Sequence, residues 1–290
     1  MYFRVGMNLG RVGVCWSGSW QVADDPVLDA ARELESLGYG ALWSSARRNP
    51  GLSPHFERLL DSTVQVTVAS GIVNIWAGAP EDVGPTVAAL EARFPGRFLL
   101  GLGASHAPIV QNYARPYSQM VAYLDALDAL VVPVPPERRV LAALGPRMLQ
   151  LASERAAGAY PYFVPVEHTM RARGILGPGT LLAPGVTVVL ETEAARAREL
   201  ARAHAATYLN LPNYANNLRT FGYSDDDIGG GGSDRLIDAV IPWGDIATVA
   251  GRIREHHDAG ANHVSIEVIA DEQGLPLAQY REIAHSLLGA

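Results

Sequence analysis

The sequence predicts an α/β chain folded as an eight-stranded parallel barrel, (β/α)8, on three observations. Short apolar segments alternate along the whole length with segments of helical periodicity, which is the pattern of strand-helix units. The 290 residues, 48% of them apolar, match the ordinary size of one such barrel. The run RFLLGLGASH, residues 97–106, ends an apolar segment with Gly101 and Gly103 and then presents Ala104, Ser105 and His106. Chemistry in a parallel barrel sits at the C-terminal ends of its strands, so this exit reads as an active-site floor or as a plain turn.

Residues 5–9 form the first strand and 10–21 a long loop. Cys15, Trp16 and Trp20 stand at its mouth, as a substrate wall or as packing over the barrel end. Asp24 or Asp25 caps a helix with Pro26 in its first turn, and Gly38 stops it. Residues 41–44 are the second strand. The third, 63–75, is rich in β-branched residues and broken at Ser70 and Gly71, where a glycine marks a bulge or a simple kink. Pro85 opens a helix that closes near Pro95 and Gly96. The fourth strand is the Gly-x-Gly run, and a helix follows over 118–130.

Strand five covers 140–144. Gly145 and Pro146 then lead into a helix over 147–157 that ends at Gly158, its free N–H groups suited to an anion. Strand six is 160–164, and the turn 165–169 brings His168 to the same place, unless His168 is a surface histidine. Strand seven is 184–190. Thr192 caps a helix over 193–209 whose Ala/Arg repeats read as a solvated outer face. Before the eighth strand, 263–269, lies a long gap with four consecutive glycines. It reads as an insertion over about 210–232, the most mobile part of the chain, followed by helices capped by Ser233 and Asp245. Gly260 ends the penultimate helix and 277–288 is the last. Residues 1–290 make one domain.

The net charge of −7 carries no long run of one sign beyond 225–227, so neither nucleic acid nor a membrane surface is an expected partner; a small molecule is. All 23 basic residues are arginine, which excludes Schiff-base lysine chemistry and a P-loop lysine. With Cys15 alone there is no intrachain disulfide. The N-terminus shows no apolar signal segment and no apolar run reaches 18 residues, so a cytoplasmic protein is expected. The eight histidines include no His-x-His on a strand and no His-Glu-x-x-His, so no metal is expected.

The segments RFLLGLGASH, AALGP, YFVPVEHT, PNY…GY…DDDI…SDRL and WGDIATVAGRIREHHDAGANHVSIEV together resemble the luciferase-like oxidoreductases. The likeness is to a branch of F420-dependent oxidoreductases, covers nearly the whole chain and is most specific over 208–269. It implies a TIM-like barrel with an insertion between strands seven and eight, a deazaflavin or flavin in the barrel mouth, and often a homodimer. Carried over by position, Gly71, Ile72, Val73 and Asn74 form a strand-three bulge behind the cofactor ring, with a non-proline cis bond between Gly71 and Ile72. Gly103, Ala104, Ser105 and His106 form the floor, and Leu144, Gly145, Pro146, Val164, Pro165 and His168 hold the phosphate tail. The chain departs from many relatives at the end of strand two, where Trp43, Ser44, Ser45 and Ala46 precede Arg47 and Arg48 and no acid is present. The function expected is hydride transfer between F420 and a small organic substrate. His106 is the catalytic candidate, as a proton carrier or as a fixed donor to the ring. The alternatives are an FMN-dependent monooxygenase and a cofactor-binding barrel without turnover.

Overall fold

The computed structural model describes residues 7–16, 25–45, 54–270 and 274–290. Eight parallel strands form its centre. They are β1 Val12–Trp16, β2 Ala41–Ser44, β3 Thr67–Ser70 resuming at Val73–Asn74, and β4 Phe98–Gly103. Then come β5 Arg139–Leu141, β6 Gly158–Ala159, β7 Leu181–Leu182 resuming at Gly185–Val188, and β8 Val264–Val268. Each strand pairs with the next in sequence up to β7, and β1 pairs with β8, Val14 lying opposite Ile266. The ring closes through the two pieces of β7. The first pairs with β6, Leu182 opposite Ala159; the second pairs with β8, Gly185 opposite Ser265.

Both faces of these strands are buried. Val14, Leu42, Val68, Leu100, Leu141, Val186 and Ile266 face outward into the layer shared with the helices. Cys15, Trp43, Ala69, Leu99, Val140 and Tyr160 fill the barrel. The helices on the outside are α1 Asp25–Ser36, α2 Pro54–Ser62, α3 Pro80–Arg93, α4 Pro116–Asp128, α5 Pro146–Arg155 and α6 Val166–Leu176. Four more, α7 Ala194–Leu209, α8 Pro212–Arg219, α9 Asp225–Ile228 and α10 Asp234–Val240, separate β7 from α11 Ile246–Asp258; α12 Leu277–Leu288 ends the chain. Among the described residues no helix is long and apolar enough to cross a membrane.

Several expectations need correction. The first strand is Val12–Trp16, not 5–9, so Cys15 and Trp16 stand on a barrel strand instead of a loop. Gly10, at φ 62°, turns the chain into it. Trp20, Asp24, Ala46, Arg47, Arg48 and the first two residues of the 5–9 segment lie outside the described residues. Pro85 does not open its helix: Pro80 does, with Glu81 and Asp82 in the first turn where the helix dipole favours acids. Gly158 is a strand residue, not a helix stop, and β6 precedes the expected 160–164. The turn 165–169 is the first turn of α6. Glu193, not Thr192, caps α7 by accepting from the N–H groups of Ala195 and Arg196.

The insertion is also larger and more regular than 210–232. Ala197, Ala201 and Ala205 repeat every fourth residue, and this face of α7 is buried against α8 and α10 in an apolar cluster with Leu218, Leu236 and Ile237. The glycine segment is folded: Gly229–Gly231 make a 3-10 turn, and the Asp227 carboxylate accepts from Ser224 N–H, the Ser233 hydroxyl and Arg235.

Candidate active site

A cavity of about 280 Å³ opens at the C-terminal ends of the strands. Nine of the expected residues line it: Gly71, Ile72, Asn74, Gly103, Ala104, Ser105, His106, Leu144 and Gly145. Val73, Pro146, Val164, Pro165 and His168 do not. The peptide bond between Gly71 and Ile72 is cis, and β3 stops at Ser70 and resumes at Val73. The Ile72 side chain lies over β4, where a Cβ on Gly103 would stand 2.6 Å from Ile72 Cδ1. Only glycine at 103 lets this side chain reach the cavity.

Beyond β4 the chain turns through Ser105, a left-handed residue at φ 56°, and so presents His106 at the mouth. The His106 Nδ1–H donates to Asn213 Oδ1 at 2.8 Å, and its ring centroid lies 5.3 Å from that of Tyr214. Both partners belong to α8, so the insertion forms part of the cavity wall. Leu211, Asn213 and Tyr214 line it from that side.

Gly145 is the N-cap of α5, and a Cβ there would meet nothing within 4 Å, so the helix start opens onto space. His168 stands behind it. The ring is 1% exposed, and its Nε2–H donates to the Leu144 carbonyl at 2.9 Å. Burial pulls its pKa down to about 4, against the Leu144 carbonyl, which pulls it up. His168 itself does not line the cavity; a neutral buried ring brings no positive charge to an anion there, and its contact is with the Leu144–Gly145 turn.

The inner wall holds groups that the sequence reading missed. Glu267 on β8 lines the cavity and is 7% exposed. The Tyr162 hydroxyl is 2.7 Å from Glu267 Oε2, 2.7 Å from His204 Nε2 and 2.8 Å from Thr187 Oγ1. Gly185 makes room for this tyrosine, since a Cβ at 185 would lie 2.7 Å from Tyr162 Cδ2. Beneath, Tyr160 stacks on Trp43 at 4.2 Å with planes 5° apart. A signal for Glu267 was present in Val-Ser-Ile-Glu-Val. In a strand covered by helices outside, Ser265 and Glu267 at alternate positions must face the barrel axis. Among the described residues no three His, Cys, Asp or Glu side chains converge as metal ligands.

A family model for luciferase-like monooxygenases matches residues 15–263. The chain belongs to the luciferase-like monooxygenase family. Solved structures agree on the fold. An F420-dependent secondary alcohol dehydrogenase in complex with an F420-acetone adduct superposes with a TM-score of 0.72 at 14% identity, over 97% of this chain and 99% of that one. The F420-dependent tetrahydromethanopterin reductase of Methanopyrus kandleri gives 0.71 at 16%, over 96% and 98%. The FMN-containing oxygenating constituent of 3,6-diketocamphane monooxygenase from Pseudomonas putida gives 0.62 at 15%, over 96% and 97%. No curated protein matches the chain.

Proposed function

We propose that this luciferase-like protein is an F420-dependent oxidoreductase that moves a hydride between the deazaflavin and a small organic substrate. The observation that carries this reading is an apolar slot with a proton-handling group at each end, His106 at the mouth and Glu267 within. A deazaflavin gives or takes a hydride at its ring carbon C5. When a hydride joins or leaves carbon next to a heteroatom, a proton moves too, and a dry site needs a side chain to carry it. Two of the structures that resemble the chain are F420-dependent enzymes, and the sequence segments quoted above support the same branch.

The residues fit such a group. Gly71, Ile72 and Asn74 would back the ring, with Val73 packed behind them in the core, while Gly103, Ala104, Ser105 and His106 would carry its near edge. The open N-terminus of α5 at Leu144, Gly145 and Pro146 would take the phosphate, where N–H groups and helix dipole favour an anion by about 0.3 to 1 kcal/mol. Val164, Pro165 and His168 would support that turn from behind. The test is a fluorescence-quenching titration with F420 and, separately, with FMN. Saturable binding of F420 and none of FMN is expected. The converse makes the protein an FMN-dependent enzyme, and binding of neither removes the reading.

A further inference from the structure

We infer that Glu267, Tyr162 and His204 form a proton relay joining the inner wall of the cavity to α7. The Tyr162 hydroxyl stands between the other two at 2.7 Å from each, while His204 Nε2 and Glu267 Oε2 are 4.0 Å apart. The phenol gives the short connection; the Thr187 hydroxyl, 3.4 Å from His204 Nε2 and 3.5 Å from Glu267 Oε2, gives only a longer one. A phenol has one proton to donate and two lone pairs, and with Thr187 it has three partners, so its hydrogen-bonding capacity is filled.

Two proton arrangements fit the same heavy atoms. In one, Glu267 is a carboxylate, Tyr162 donates to it, and His204 Nε2–H and the Thr187 hydroxyl donate to Tyr162. In the other, Glu267 carries a proton and donates it to Tyr162, which donates to His204 Nε2. They differ by one proton, moved from His204 to Glu267 through Tyr162. Burial and the neighbouring Glu267 charge push the Tyr162 pKa well above its ordinary value, so the phenol passes a proton without staying ionised. The other titratable groups acting on this hydroxyl are Tyr208 of α7 and Cys15 of β1.

Position gives the relay its direction. Glu267 faces the cavity. His204, on α7, keeps 18% of its side chain exposed, against 9% for Glu267. The need for a proton rests on the hydride-transfer reading above, which supplies the electron pair as hydride. As that pair reaches the substrate, the Glu267 O–H bond breaks and a bond from that proton to a substrate heteroatom forms. Water then protonates His204 at Nε2, and Tyr162 turns to donate to the Glu267 carboxylate. The Tyr162 O–H breaks as Glu267 regains its proton, the His204 N–H breaks as Tyr162 regains its own, and Tyr162 ends unchanged. Substrate oxidation runs the same steps backward.

The first test uses the protein without cofactor. At one fixed pH, infrared spectra follow the carboxyl band that disappears in Glu267→Gln, and NMR follows the proton on His204 Nε2. Because the two arrangements hold the same protons, the fraction of protonated carboxyl and the fraction of bare Nε2 should be equal in the wild type and differ in Tyr162→Phe. Unequal fractions in the wild type overturn the relay. In turnover with F420, Tyr162→Phe should lower kcat by about 10²-fold with KM nearly unchanged, the low end for proton-transfer catalysis. His204→Gln, at the outer end and harmless to the core, should lose kcat and regain it with added imidazole, as a structural role would not. Unchanged kcat in both variants removes the relay and leaves the cofactor reading standing. Equal fractions in a protein that binds FMN instead of F420 keep the relay and remove that reading.

Discussion

His106 shows how far a single side chain can be argued. Its place after Gly-x-Gly was legible because glycines at a strand exit in a parallel barrel mark where the backbone turns toward the site. What could not be read was its partner, since Asn213 is 107 residues away and only the packing of α8 brings it to 2.8 Å. That contact sets the neutral ring's proton on Nδ1 and makes Nε2 its acceptor. With the imidazole carrying a proton, His106→Ala lowers kcat by about 10²-fold while the cofactor Kd changes little. Asn213→Ala, which frees the ring to turn, should cost part of that loss. Stopped-flow turnover beside a binding titration separates the roles: weaker cofactor binding at unchanged kcat makes His106 a fixed donor only. Glu267 was missed for the opposite reason. Its strand was identified over 263–269, but the alternation of Ser265 and Glu267 within it was not used.

At the scale of elements, the insertion is where the sequence reading fell furthest short. Four glycines in a row lose much entropy on ordering and pack nothing, so a mobile loop was the natural expectation. The order comes from Asp227. Its carboxylate joins the Ser224 backbone, the Ser233 hydroxyl and Arg235 across the glycines, and with Ser224 it completes a capping box. Such a chelate depends on contacts across the turn, which local composition does not reveal. The hydrogen bonds from the Arg235 guanidinium and the Ser233 hydroxyl hold the Asp227 pKa far below the ordinary carboxylate range. Asp227→Asn should therefore loosen the segment, raising amide hydrogen exchange severalfold over 224–236 while β1 to β8 exchange as before. Because α8 carries Asn213 and Tyr214 to the cavity, the same variant should weaken cofactor binding. Exchange unchanged over 224–236 would show that the apolar face of α7 alone orders the insertion.

The whole molecule was legible as a barrel because strand-like and helical segments alternate along most of the chain, although α2 Pro54–Ser62 and α6 Val166–Leu176 were not foreseen. The split of β7 was not, since Ala183 and Pro184 break its ladder and the two pieces serve different neighbours. Nor was the number of polar groups enclosed. Four of the enclosed groups are histidines that stay neutral in the fold, His55 beside the Ser44 hydroxyl among them. His263 accepts Trp43 Nε1–H at Nε2 and donates Nδ1–H to the Gly10 carbonyl; His256 meets Thr169, and His168 meets Leu144. Burial draws the pKa of His55, His168 and His263 down to about 4 and that of His256 to about 3, from an ordinary 6.5. Between about pH 6.5 and 4 the unfolded chain binds protons that the folded chain refuses, so stability falls as pH falls through this window and is level above it. Each histidine loses at most about 1.4 kcal/mol between pH 7.5 and 5.5, a range still above most carboxylate titrations. Four together should lower the urea midpoint by on the order of 2 M, taking a slope of about 3 kcal/mol/M. Replacing Thr169-paired His256 with Gln should flatten the dependence by about a quarter. Equal midpoints at the two pH values would mean that the unfolded chain keeps these rings as dry as the fold does.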